Sequence, residues 1–195
     1  NHHPDPSRPK NLEDLRKVVL KSHLDIGLAF DGDADRIGVI SPKGKIIYPD
    51  MQMIIFAEHI LRTNPNSKIV FDVKCSKLLS QSITNNQGIP IMCKTGHTFI
   101  KETLRNETAI LGGEMSGHIF FNDRWPGFDD GIYAAARMLE IISEQEEGVD
   151  IFENLPSLHS TPEINLPSTD ENKFKIVESF RKIYNFPDAS LIDID

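Results

Sequence analysis

From residue 50 onward the apolar positions settle into an alternating rhythm. Helical spacing over 51–63, 76–86 and 98–106 is interleaved with short apolar runs over 68–73, 89–95 and 109–114 that predict strands. Such alternation predicts an α/β layer with parallel strands. Upstream, Leu12, Leu15, Val18 and Val19 share one helical stripe within 11–21, with Asn11 at the N-cap position and Asp14 in the first turn. The apolar run from Asp25 to Phe30 predicts a buried strand that ends in acids. Residues 37–40 and 45–48 flank Ser41-Pro42-Lys43-Gly44 as the two strands of a hairpin. Pro65 and Asn66 end one helix, and Gly88 stands where a helix C-terminal glycine belongs. Further on, 118–122 is strand-like, and 129–146 predicts a long helix with Ile132, Ala135, Ala136, Leu139 and Ile142 on one face. Past Gly148, Leu155-Pro156, Thr161-Pro162 and Leu166-Pro167 mark a linker and a strand, followed by helix 171–185 and strand 190–194. The expected class is α/β: a mixed, largely parallel sheet with flanking helices, plus partial neighbouring domains.

Composition narrows the partners. The 195 residues are 39% hydrophobic and carry a formal net charge of −8, without the clustered Lys/Arg face that nucleic acid requires. An anionic ligand therefore needs a metal or a few well-placed cations. Cys75 and Cys93 are not spaced as a zinc or redox pair, which points to a reduced, cytoplasmic setting. No apolar run approaches the length of a membrane span. The opening Asn-His-His-Pro-Asp-Pro is loop-like and does not begin with Met, so the expectation is a chain cut from a longer one, truncated at both ends; His2 and His3 are alternatively a tag remnant.

Two loops carry candidate chemistry. In Asp31-Gly32-Asp33-Ala34-Asp35-Arg36, three carboxylates alternate with two small residues, so a tight turn can aim all three at one hard cation. Mg²⁺ suits such oxygen donors. An EF-hand register fails, because its sixth and twelfth positions are Arg36 and Pro42. Arg36 can hold a phosphoryl oxygen beside the metal or simply neutralise the acids. The second loop is Gly112-Gly113-Glu114-Met115-Ser116-Gly117-His118. If that segment is extended, Glu114, Ser116 and His118 project together and can grip adjacent sugar hydroxyls. Lys74 and the segment Lys94-Thr95-Gly96-His97 follow predicted strands, so they fall at carboxyl ends where α/β folds bind ligands. Trp125 and Phe128 precede a helix and are expected to cap a core rather than form a sugar platform.

These motifs, in order, resemble those of the α-D-phosphohexomutases, specifically the bacterial phosphomannomutase/phosphoglucomutase branch. The resemblance rests on NHHPDP, FDGDADR at 30–36, DVKCS at 72–76, KTGH at 94–97, GGEMSGHIFF at 112–121, FDDGIYAAARMLE at 128–140 and STPEIN at 160–165. It implies the end of a second domain over 1–45, a third over 46–157 and the opening of a fourth over 158–195. It further implies Asp31, Asp33 and Asp35 as Mg²⁺ ligands, with Arg36, Lys74 and His97 serving catalysis and Glu114, Ser116 and His118 binding substrate. The implied reaction interconverts hexose 1- and 6-phosphates of mannose or glucose, through a phosphoserine and a 1,6-bisphosphosugar. No Ser-His-Asn-Pro-type segment occurs in these residues, so the rest of the parent chain would be the partner and this chain alone is expected to be inactive.

Two alternatives compete. One is a non-catalytic module binding metal or sugar phosphate. The other is a phosphatase with Asp31 as nucleophile, although Asp35 stands where that pattern usually has Thr or Val.

Overall fold

The computed structural model describes residues 3–146, 150–157, 164, 166–184, 187 and 189–194. The chain divides into a large unit, Asn1–Pro156 with Ile194–Asp195, and a small one, Ser157–Asp193.

The large unit opens with a 3-10 turn, Pro9–Leu12, leading into α1 (Glu13–Ser22). Asn11 does not cap that helix. Its amide donates to the carbonyls of His3 at 3.1 Å and Asp5 at 2.8 Å, because the Pro-initiated turn draws it inside and leaves Leu12 at the cap. Leu12 and Val19 pack with Ile40, whereas Val18 faces outward. Strands β1 (Gly27–Phe30), β2 (Ile37–Ile40) and β3 (Ile46–Ile47) form an antiparallel sheet in that order. Phe30 pairs with Ile37, so only six residues connect β1 to β2.

A second sheet follows from α2 (Pro49–Leu61), β4 (Lys68–Asp72), α3 (Lys77–Asn85), β5 (Ile89–Cys93), α4 (His97–Asn106), β6 (Leu111–Gly113), β7 (Ile119–Phe121) and α5 (Gly131–Ser143). Its order is β5-β4-β6-β7; β4 runs parallel to β5 and β6, and β7 is antiparallel to β6. The expected mixed, largely parallel sheet with flanking helices is what forms. Because side chains alternate along a strand, Ile69 and Phe71 face the helices α2, α3 and α5, while Val70 faces Ile100 and Leu104 of α4. Parallel pairing also sends the carboxyl ends of β5, β4 and β6 to one edge.

Helix α2 is apolar around most of its circumference, which marks a helix buried on several sides. It does so between the sheets: Ile37, Val39 and Ile47 of the first share one core with Phe56, Phe71 and Leu111. The two sheets are therefore joined through packed side chains as well as by the chain itself.

Helix α5 departs from the expected face. Ile132 is 63% exposed, and Ala136 and Leu139 also lie outside, while Ala134, Ala135, Arg137, Met138 and Ile141 turn inward. A buried arginine decides this orientation. The Arg137 guanidinium pairs with Asp123 at 2.8 Å and lies 4.6 Å from the Phe121 ring centroid, so its charge is compensated where a pattern based on hydrophobicity alone would keep it out. Gly88 also serves differently from expectation. The left-handed residue after α3 is Gln87, at φ 62°, and the Gly88 N–H closes the helix end onto the Ile83 carbonyl at 2.8 Å. A Cβ at Gly88 would stand 2.7 Å from Leu61, so close approach is what requires glycine.

In the small unit, α6 (Lys173–Ile183) buries no residue, and Phe174, Val177, Phe180 and Ile183 are exposed. The linker and strand expected around 158–165 lie largely outside the described residues. Among the described residues, 190–194 form no strand, and Asp193 pairs with Arg181 at 2.5 Å. Among the described residues no helix is long and apolar enough to cross a membrane.

Candidate functional site

The acidic loop is the β1–β2 connection, and its compactness follows from the Phe30–Ile37 pairing that closes it. One ligand oxygen from each of Asp31, Asp33 and Asp35 lies within 4.8 Å of the others. Ala34 makes this possible by adopting φ 61°, a left-handed conformation that glycine takes far more readily. Arg36 folds back on the loop, its Nε donating to Asp31 Oδ2 at 2.6 Å and its backbone N–H to Asp31 Oδ1 at 3.2 Å. A second acid, Asp5, stands 3.5 Å from Arg36 Nη1. The guanidinium therefore acts here as the counterion of the acids.

The carboxylates do not share that relief equally. Burial alone would raise the Asp31 carboxyl, but the Arg36 N–H groups outweigh it and its pKa is lowered. Asp35 receives the opposite treatment. Burial, its hydrogen bond with Asp31 and the charges of Asp31, Asp33 and Asp129 push it up to about 6. A hard divalent cation fits this donor set, being three oxygens with an excess of negative charge that protein cations only partly cancel.

The Glu114–His118 segment is a tight turn between β6 and β7, so the condition under which 114, 116 and 118 would project together, an extended segment, is not met. Gly117 N–H donates to the Glu114 carbonyl at 3.0 Å, Glu114 N–H to the His118 carbonyl at 3.0 Å, and Gly117 sits at φ 104°. Antiparallel pairing of β6 with β7 forces the chain to reverse there. Glu114 and Ser116 still meet, because Ser116 Oγ donates to Glu114 Oε2 at 3.2 Å. The Glu114 carboxylate is buried, and its other oxygen accepts the Gly96 N–H at 2.5 Å, tying this turn to the start of α4.

A backbone bridge then joins the two loops. Ile37 N–H donates to the Gly117 carbonyl at 3.3 Å, and Arg36 pairs with His118 as an isolated antiparallel bridge. His118 Nδ1 consequently lies 3.6 Å from Asp35 Oδ2 and 3.1 Å from Asp129 Oδ2, although that buried atom has no well-directed hydrogen bond. Burial lowers the His118 pKa and outweighs the nearby acids. The ring stacks on His97, centroids 5.6 Å apart, and His97 is 55% exposed at the first position of α4. Lys74 occupies the turn after β4 at the same sheet edge and is exposed. Trp125 stacks on Tyr133 at 4.3 Å and packs on the core, as a cap rather than a platform.

Two contributors escaped the sequence reading. Asp129 gathers Lys101 at 2.9 Å, His118 at 3.1 Å and His97 at 3.9 Å. Only its place beside the N-cap Asp130 is visible in sequence, and that suggests a helix start rather than a site. Gly131 sends its N–H to the Ala34 carbonyl at 2.9 Å, and a Cβ there would lie 2.9 Å from the Ala34 and Arg36 carbonyl oxygens. Helix α5 thus abuts the acidic loop only because its first residue has no side chain.

Family models match the chain in two places. The phosphoglucomutase/phosphomannomutase alpha/beta/alpha domain III model matches residues 48–157, and the domain II model matches residues 1–44. The chain belongs to the phosphoglucomutase/phosphomannomutase family. Among the relatives in this family, a phosphomannomutase/phosphoglucomutase of Pseudomonas syringae pv. tomato is 50% identical over the whole chain, and a phosphoglucomutase of Neisseria gonorrhoeae is 48% identical. The chain spans 42% and 43% of those proteins. A family structure from Burkholderia thailandensis aligns over all of this chain and 42% of its own, with TM-score 0.92 and 45% identity.

Two outcomes follow from the loop geometry. Ala34→Gly relieves roughly 1–2 kcal/mol of left-handed strain and loses about 0.4–1 kcal/mol to the freer unfolded chain; urea unfolding is expected to show a net gain. A proton on Asp35 would compete with a divalent cation in this loop, so affinity is expected to hold above the Asp35 value of about 6 and to decline as pH falls below it. Calorimetric titration at several pH values reads this directly.

Proposed function

We propose that this chain is the metal-loop and sugar-reading portion of a phosphohexomutase that interconverts hexose 1- and 6-phosphates of mannose or glucose. The observation that carries the reading is the backbone bridge from Ile37 to Gly117, which sets three convergent carboxylates beside a turn bearing Glu114, Ser116 and His118. Half-identity to a Pseudomonas syringae phosphomannomutase/phosphoglucomutase supports the substrate class. In this proposal residues 1–45 close a second domain, 46–157 form a third and 158–195 open a fourth.

Asp31, Asp33 and Asp35 would hold Mg²⁺, which on binding would supply positive charge beside a phosphoryl group. Arg36 would then exchange part of its contact with Asp31 for a phosphoryl oxygen, a strong charge-assisted bond. His118 has a lowered pKa, so it is neutral near pH 7 and able to take a proton from a sugar hydroxyl. His97 and Lys74, exposed at the same edge, would assist that transfer and bind the phosphosugar. Glu114 would act largely through the loop it ties to Gly96, with Ser116 facing the hydroxyls. Cys75 and Cys93 lie far apart in sequence and outside any zinc or redox spacing, which supports the cytoplasm as the site of action.

A phosphatase using Asp31 as nucleophile is disfavoured, since that side chain is only 3% exposed and held by Arg36. No Ser-His-Asn-Pro-type segment lies in the sequence, so the serine that carries the phosphoryl would come from other residues of the parent, and the chain by itself would not turn over substrate.

Isothermal titration of the chain with Mg²⁺ tests the metal assignment. Asp31→Asn and Asp33→Asn are each expected to weaken binding by roughly tenfold or more. Unchanged affinity in both variants would remove the metal from this loop, and mutase turnover by the chain alone would overturn the assigned dependence on other residues.

A further inference from the structure

We infer that Asp72, a carboxylate in no direct line with the metal loop, is the positioning residue that holds the three strand-end loops in register with one another. It is 0% exposed at the last position of β4, the strand flanked by β5 and β6. A buried carboxylate is costly unless donors surround it, and here each donor comes from a different loop. Met115 N–H, in the β6–β7 turn, donates to Oδ1 at 3.1 Å. Cys75 Sγ, just after Lys74 in the β4–α3 connection, lies 3.0 Å from the same oxygen. Thr95 Oγ1, in the segment before His97, donates to Oδ2 at 3.3 Å. Burial raises the Cys75 thiol pKa, helped by the charge of Asp72 itself, so the thiol stays protonated and able to donate.

The arrangement has a geometric consequence. Lys74, His97 and the Glu114–His118 turn occupy ends of three separate strands, whose paired registers end at Asp72, Cys93 and Gly113, with one more backbone bond from Val73 N–H to the Cys93 carbonyl at 3.0 Å. Beyond those residues the loops need another tie. One is the Gly96 N–H bond to Glu114; Asp72 supplies another that reaches all three. Its effect on ligand binding rests on the hexose-phosphate reading above, whereas its effect on loop register does not.

Asp72→Leu keeps the approximate size and removes both acceptor oxygens, so the Met115 N–H, the Cys75 thiol and the Thr95 hydroxyl all lose this partner. The first readout uses no ligand: in ¹H–¹⁵N spectra of the chain, the Met115 and Gly96 amide signals shift and Met115 loses hydrogen-exchange protection. The second readout is glucose 1-phosphate affinity, expected to fall about fivefold to tenfold, while Mg²⁺ affinity of the 31–35 loop stays within about twofold. A purely structural role would instead lower overall stability and leave those two affinities in unchanged ratio. If Asp72→Leu does not fold, Thr95→Val and Thr95→Ser decide the matter: the same signals move in the valine variant and return in the serine variant. Met115 and Gly96 amides that stay at their wild-type positions would overturn the role of Asp72. A wild-type chain that shows these amide effects on mutation but does not bind glucose 1-phosphate would sink the substrate reading and leave the positioning role standing.

Discussion

A short backbone contact, Ile37 N–H to the Gly117 carbonyl, is the constraint on which the site depends. Each loop is competent to fold on its own terms: one closes because β1 pairs with β2, the other because β6 pairs with β7. Neither pairing brings the carboxylates to His118. The bridge does, and two absences of side chain permit it. Gly117 takes a φ of 104° with Ile37 pressed against it, and Gly131 lets α5 rest on the Ala34 and Arg36 carbonyls. The shared core of Ile37, Phe56 and Phe71 keeps both sheets from sliding apart.

Charge is distributed unevenly around that contact. Arg36 sits closest to Asp31, and Asp35, 3.9 Å from its Nε, is pushed up first by burial and then by Asp31, Asp33 and Asp129. On the far side, Lys101 neutralises Asp129, while His118 lies between Asp35 and Asp129 with its own pKa depressed by burial. A folded chain tolerates such frustration where a ligand is meant to complete the balance. A cation at the acids would supply the positive charge that the protein groups there only partly provide.

Most of the architecture was legible because local patterns and tertiary structure agree: the strand–helix alternation after residue 50 became the mixed sheet, within a few residues at each boundary. The α5 face was misread because Arg137 is buried through pairing with Asp123, a partner fourteen residues away that periodicity does not see. The Glu114–His118 loop was found but its form was not, since the reversal there depends on β7 pairing back onto β6. The acids at 31, 33 and 35 announced themselves by spacing. Asp72, Asp129 and Gly131 did not, because their importance lies in which loops they touch. Ala34 lies between these cases: its small size was visible in the loop's spacing, and its φ of 61° was not.

The most direct test of the central claim, that the acidic loop and the Glu114–His118 turn form one site, is paramagnetic broadening by Mn²⁺ in amide spectra of the chain. The account predicts that substoichiometric Mn²⁺ broadens residues 31–36 together with Gly117, His118 and Gly131, and that Asp33→Asn abolishes both sets. Broadening confined to 31–36, with Gly117 and His118 untouched, would contradict it.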